Sequence, residues 1–156
     1  MKNNLYENIL NCYENNENFY VRYNNSNNGL CYIYCSSNAL YVGGSSESFD
    51  NLILKKNRYE WEHISSGTKP EKEIFIRDIF MSWYVNGLSK QNDSYEKIID
   101  VISCECKGYK VRTVGVSSGG YMACLLGIQT KADLCYLLSP QITIRHHYNH
   151  CERTSI

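Results

Sequence analysis

Gly115, Val116, Ser117, Ser118 and Gly119 place a serine between two glycines in the spacing GxSxG. A serine hydroxyl is a weak nucleophile until a neighbouring base takes its proton, and a sharp turn from strand into helix is one way to present it. Backbone on such a turn is strained, and side chains two positions to either side would collide with it. Gly115 and Gly119 remove that collision. The turn would lift the Ser117 hydroxyl above the carboxyl ends of the strands. It would also aim a helix N-terminus and the Ser118 N–H at a reacting carbonyl, where they stabilise a developing oxyanion. The plainer alternative is a glycine-rich turn that packs tightly or binds phosphate, with Ser117 as a helix cap. Neither GxGxxG nor GxxxxGK[ST] is present to support a phosphate cradle.

A second oxyanion donor is expected on a loop after an earlier strand. Gly43, Gly44 and Ser45, following an apolar run at 40–42, are the candidates, the alternative being a simple glycine turn. The bases available after the serine are His146, His147 and His150. His146 and His150 stand four apart, but the glutamate of HExxH is missing, so a solvated tail is the better reading. His63 precedes the nucleophile and reads as structural. Of the carboxylates after Ser117, Asp133 precedes its strand and Glu152 lies in the tail, so neither makes a good triad acid. The near cysteine pairs, Cys31 with Cys35 and Cys104 with Cys106, lack zinc-knuckle spacing, so no metal and no cofactor is expected. Cys124 and Cys135, inside apolar runs, are expected in the core.

The elements that must hold these groups follow from apolar periodicity. The first 28 residues are rich in asparagine, with a short helix at 5–13. Residues 29–35 and 38–44 predict two strands, in hairpin form. The segment 45–61 either caps and starts a helix or forms an irregular connection. A strand is expected within 71–78, with Asp78 placed to cap the turn after it. An amphipathic helix follows at 94–104, with Gly108 near its end. Strand 111–116, helix 117–129 and strand 132–140 complete an alternation that implies α/β architecture, a mostly parallel sheet flanked by helices. Residues 143–156 lack any apolar period and read as an irregular tail.

One domain over 1–156 is the expectation for 156 residues. Sixteen basic residues balance sixteen acidic ones, so no global field draws the chain to nucleic acid or an anionic membrane. No apolar run suits a signal peptide or membrane span, which suggests a cytoplasmic protein with reduced thiols acting on a small molecule.

The stretch from NALYVGG through RDIFMSWYVNG to VGVSSGGYMACLLG and LLSPQI resembles α/β-hydrolase-like proteins associated with bacterial surface-polysaccharide and glycan biosynthesis. The resemblance covers about residues 29–142. It implies a three-layer sandwich and acyl transfer: Ser117 attacks an ester, a histidine takes its proton, and water or a sugar hydroxyl accepts the acyl group. It sets Trp83 and Tyr84, after Arg77 and Asp78, near the substrate. It also implies an esterase or O-acyltransferase acting on an acylated glycan or small ester, the alternative being an inactive hydrolase fold that binds a partner. The family places its acid and histidine on loops after later strands, a region nearly absent here. The chain therefore reads as the front part of a longer hydrolase, or as a compact variant with altered partners. A sheet edge left uncovered would favour self-association.

Overall fold

The computed structural model describes residues 4–41, 44–64 and 69–142. Among these, β1 (Phe19–Tyr23), β2 (Leu30–Cys35), β3 (Lys72–Ile76), β4 (Lys110–Val116) and β5 (Leu134–Leu138) form one sheet in the order β1-β3-β2-β4-β5. β2 to β5 run parallel, and β1 runs antiparallel along β3, so the sheet is mixed. The helices are α1 (Asn4–Asn15), α2 (Ser46–Phe49), α3 (Tyr95–Glu105) and α4 (Ser117–Thr130). α2 runs on into a π-helical stretch, Asp50–Lys55. None is long and apolar enough to cross a membrane.

Strand alternation divides the core. Cys31, Ile33, Cys35, Ile74 and Ile76 face Ile98 and Ile102 of α3 and Met122, Ala123 and Leu126 of α4. The opposite face is aromatic. Tyr20 stacks on Phe75 at 4.9 Å, Phe75 on Tyr34 at 4.8 Å, and Tyr32 of β2 reaches Tyr136 of β5 at 6.4 Å. Tyr59 and Trp61 close this cluster, in which no helix takes part. The second helical layer of the expected sandwich is therefore replaced, among the described residues, by the irregular segment 58–64. Leu134, Tyr136 and Leu138 on edge strand β5 are exposed.

Two further expectations are corrected and one strand is added. Residues 38–41 form turns instead of a strand, and 42–43 lie outside the described residues. The cause is local: the Ser37 hydroxyl accepts the Ala39 N–H at 3.1 Å and the Leu40 N–H bonds the Ser37 carbonyl, while Leu40 and Tyr41 sink into a separate cluster with Phe49, Ile53 and Ile79. β1 is a strand that the asparagine blocks around FYVRY concealed. Cys124 and Cys135 are half-buried, whereas Cys12, Cys31, Cys35 and Cys106 are buried.

The β1–β3 pairing makes Arg22 and Glu73 register partners, joined by an ion pair of 2.7 Å. Burial pushes the Glu73 carboxyl up, but hydrogen bonds from Arg22 and Asn24 outweigh it and hold the group below its ordinary 4.5. A carboxyl lowered in the native state contributes stability that is present above its ordinary pKa and lost as pH falls through the native value. Arg22→Gln is therefore expected to cost about 1–2 kcal/mol at neutral pH. The difference from the parent should shrink below roughly pH 4. Urea midpoints at both pH values check this; a difference that grows in acid would contradict it.

Candidate active site

β4 stays extended to Val116, with φ −122° and ψ 145°, and the chain then turns at Ser117 with φ 54°. That left-handed backbone is strained for a residue with a Cβ. The flanking glycines have a different purpose. A Cβ on Gly115 would overlap the Gly119 carbonyl, and one on Gly119 would overlap the Cys35 carbonyl and lie 2.9 Å from that of Ser36. Gly120 is pressed on Pro140, whose ring atom a Cβ would meet at 3.1 Å. The glycines thus let α4 seat against β4, β2 and the loop after β5, while the serine itself takes the strained conformation.

Loops converge on this turn. The Ser118 side chain is fully buried; its hydroxyl accepts the Asn38 N–H and donates to Asn38 Oδ1, each at 2.9 Å. The Asn38 amide donates to the Met81 carbonyl at 2.8 Å, which joins the loop after β2 to the loop after β3. From the loop after β5, the Gln141 N–H donates to the Ser117 carbonyl at 3.3 Å, and Gln141 Oε1 accepts the Trp83 indole N–H at 2.6 Å. Ser118 is the second residue of α4, so its N–H has no intrahelical acceptor.

The Arg77-Asp78 pair builds the rim on two sides. Arg77, buried, donates to Asn18 Oδ1 at 3.1 Å and to the Arg58 carbonyl at 3.0 Å, and its guanidinium lies 4.3 Å from the centre of the Tyr59 ring. It therefore pins the segment 58–64. Asp78, also buried, accepts N–H bonds from Phe80 at 3.0 Å, Ser82 at 2.6 Å and Tyr84 at 2.8 Å, and the Ser82 hydroxyl at 3.2 Å. Burial drives the Asp78 carboxyl above its ordinary pKa against these donors. Its four bonds hold Met81, Trp83 and Tyr84 at φ 52°, 57° and 63°, and Ser139 across the site stands at 44°. Strained residues thus gather around Ser117, as they do at functional sites.

The chain matches no family model, no curated protein and no solved structure. Function therefore rests on the geometry of the site itself.

Beside the turn, Val116 shares a groove of about 400 Å³ with Arg58, Glu60, Trp61, His63 and Ile64. Glu60 anchors this wall by accepting the Ser37 N–H at 2.7 Å and the Ser37 hydroxyl at 3.0 Å; Trp61 donates its indole N–H to the Cys35 carbonyl at 3.1 Å. Among the described residues no three His, Cys, Asp or Glu side chains are grouped to hold a metal ion.

Of the residues singled out from sequence, Ser117, Ser118 and Trp83 are brought together. Tyr84 belongs to the scaffold: it is fully buried, its hydroxyl donates to the Ser36 carbonyl at 2.6 Å, and it has no surface left for a substrate. Gly44 is exposed with φ 57°, and a Cβ there would meet nothing within 4 Å, so it makes no close approach; Ser45 caps α2. Gly43, His146, His147 and His150 lie outside the described residues. In the loop after β2 the N–H groups are occupied: Ser36 on Ile76, Ser37 on Glu60, Asn38 on Ser118, and Ala39 and Leu40 on Ser37. Asn38, Gln141 and Glu60 were missed because nothing local marks them. The one usable signal for Gln141 was its place directly after the LLSP strand end.

Proposed function

We propose that the chain is a serine-hydrolase-like protein, an esterase or O-acyltransferase acting on an acylated glycan or small ester through Ser117. The observation that carries this reading is the left-handed backbone of Ser117 between β4 and α4. A serine acting as an ordinary helix cap has extended backbone, and here Val116 occupies that position. A strained, partly exposed serine at a strand-to-helix turn suits a nucleophile. Parallel strands meeting an antiparallel edge strand, with the turn following β4 and the loop after β2 beside it, support an α/β-hydrolase-like assignment.

In this reading Ser117 Oγ attacks the acyl carbonyl, the Ser118 N–H and the start of α4 stabilise the oxyanion, and one of His146, His147 or His150 takes the proton. Water or a sugar hydroxyl then releases the acyl group. A fluorophosphonate probe should label the chain at Ser117, and Ser117→Ala should abolish labelling while leaving the fold intact by circular dichroism. No labelling of the parent chain, beside a labelled control hydrolase, would sink the reading.

A second reading, an inactive hydrolase fold that binds a glycan or a partner, is favoured by one observation. The loop after β2 offers no unoccupied N–H over 36–40 as a second oxyanion donor. It forecasts an unlabelled Ser117 and binding that survives Ser117→Ala.

A further inference from the structure

At the opposite end of the sheet from Ser117, two cysteines far apart in sequence meet. Cys31, the second residue of β2, and Cys106, the residue that ends α3, have their sulfurs 3.9 Å apart across a separation of 75 residues. Cys31 is fully buried and Cys106 is 4% exposed. Neither takes part in the site around Ser117. The neighbouring charges are the Lys72 ammonium and the Glu105 carboxylate, themselves paired at 2.7 Å. Either sulfur can donate to the other; the hydrogen bond with Cys31 holds the Cys106 thiol below its ordinary pKa, with burial opposing this shift and Lys72 reinforcing it. The same bond and burial push Cys31 up. The pair therefore consists of a sulfur disposed to be thiolate and a second that keeps its proton.

We propose that Cys31 and Cys106 form a redox-modifiable pair that a small peroxide closes to a disulfide, tying the end of α3 to β2. In the first step the Cys106 thiolate attacks one oxygen of hydrogen peroxide. An S–O bond forms, the O–O bond breaks, and the departing hydroxide takes a proton to become water. In the second step the Cys31 sulfur attacks the resulting sulfenic sulfur. An S–S bond forms, the S–O bond breaks, and the hydroxide leaves as water with the Cys31 proton. Two thiols are oxidised and one peroxide is reduced to two waters.

A disulfide requires the sulfurs to close by roughly 2 Å. That movement falls to the end of α3, because Cys31 is held in the buried strand β2. Cys106 lies at the helix end, and Gly108, two residues on, has φ 89° and stands in open space, where an added Cβ would meet nothing within 4 Å. The oxidant is little larger than water, which suits a sulfur of such low exposure. Cys104, exposed and two residues earlier, is an internal comparison.

The test treats the full chain with a few equivalents of hydrogen peroxide, alkylates remaining thiols in denaturant and maps the peptides by mass spectrometry. The expected result is a Cys31–Cys106 cross-linked peptide that dithiothreitol releases. It should come with a rise in Tm on the order of 5–10 °C, because the bridge restricts a long loop of the unfolded chain. Cys31→Ala should stop Cys106 at sulfenic or sulfinic acid and remove the rise. Equilibration of the unsubstituted chain in oxidised and reduced dithiothreitol gives a second measurement independent of any variant. Cys31 and Cys106 both staying alkylatable while Cys104 is oxidised, or either bridging to another cysteine, would overturn the proposal. None of these outcomes depends on whether Ser117 is active.

Discussion

Gly119→Ala is expected to remove a large share of the protein's stability, on the order of 3–5 kcal/mol. The added Cβ would overlap the Cys35 carbonyl and come within 2.9 Å of the Ser36 carbonyl. Both are backbone atoms at the end of the central strand β2, so no side-chain rotation relieves the clash. α4 would have to lift from the sheet, breaking the Ser118–Asn38 bonds and the packing of Met122, Ala123 and Leu126 together. Gly44→Ala separates this effect from the intrinsic cost of losing a glycine. Its φ of 57° disfavours a side chain, but the surrounding space is open. A loss of only about 1 kcal/mol is expected there. Urea unfolding of the two variants decides the matter, and similar losses in both would show that close approach at Gly119 is not what the motif requires.

Asp78→Ala should be comparably severe, at about 3–5 kcal/mol. Alanine leaves the N–H groups of Phe80, Ser82 and Tyr84 without their acceptor at a buried position. Those bonds hold consecutive left-handed residues in the loop after β3, so the loop should relax and release Trp83 from Gln141. Two readouts therefore move together: a lower urea midpoint and, under the proposed activity, weaker labelling of Ser117 in molecules that remain folded. Asp78→Asn keeps one carbonyl acceptor and should retain part of both. A variant with parent-like stability would mean that the loop finds other acceptors, and the role assigned to Asp78 would be wrong.

Arg77 and Asp78 show how far sequence carried the interpretation. Their adjacency at a strand end was visible, and Asp78 was legible as a turn cap because a carboxylate there finds N–H groups a few residues on. That Arg77 points the other way, under Tyr59 and onto Arg58, depends on a segment brought back over the sheet. Trp83 and Tyr84 illustrate the same division. Neighbours in sequence, one bonds Gln141 beside Ser117 and the other is buried beneath the site, because left-handed backbone at both directs the two rings apart.

By itself the sequence determined the strand-turn-helix around Ser117, the amphipathic helix at about 94–104, the parallel strands from 71 onward and the glycines that crowding requires. These are local: periodicity and short-range sterics suffice to specify them. Only the tertiary structure decided that Ser118 binds Asn38 across 80 residues, that Trp83 meets Gln141 across 58, and that Cys31 faces Cys106 across 75. It also revealed that FYVRY completes the sheet edge and that, among the described residues, an irregular aromatic segment stands in place of a helical layer. Such pairings follow from strand order and register, which hydrophobic pattern constrains to a face but not to a partner.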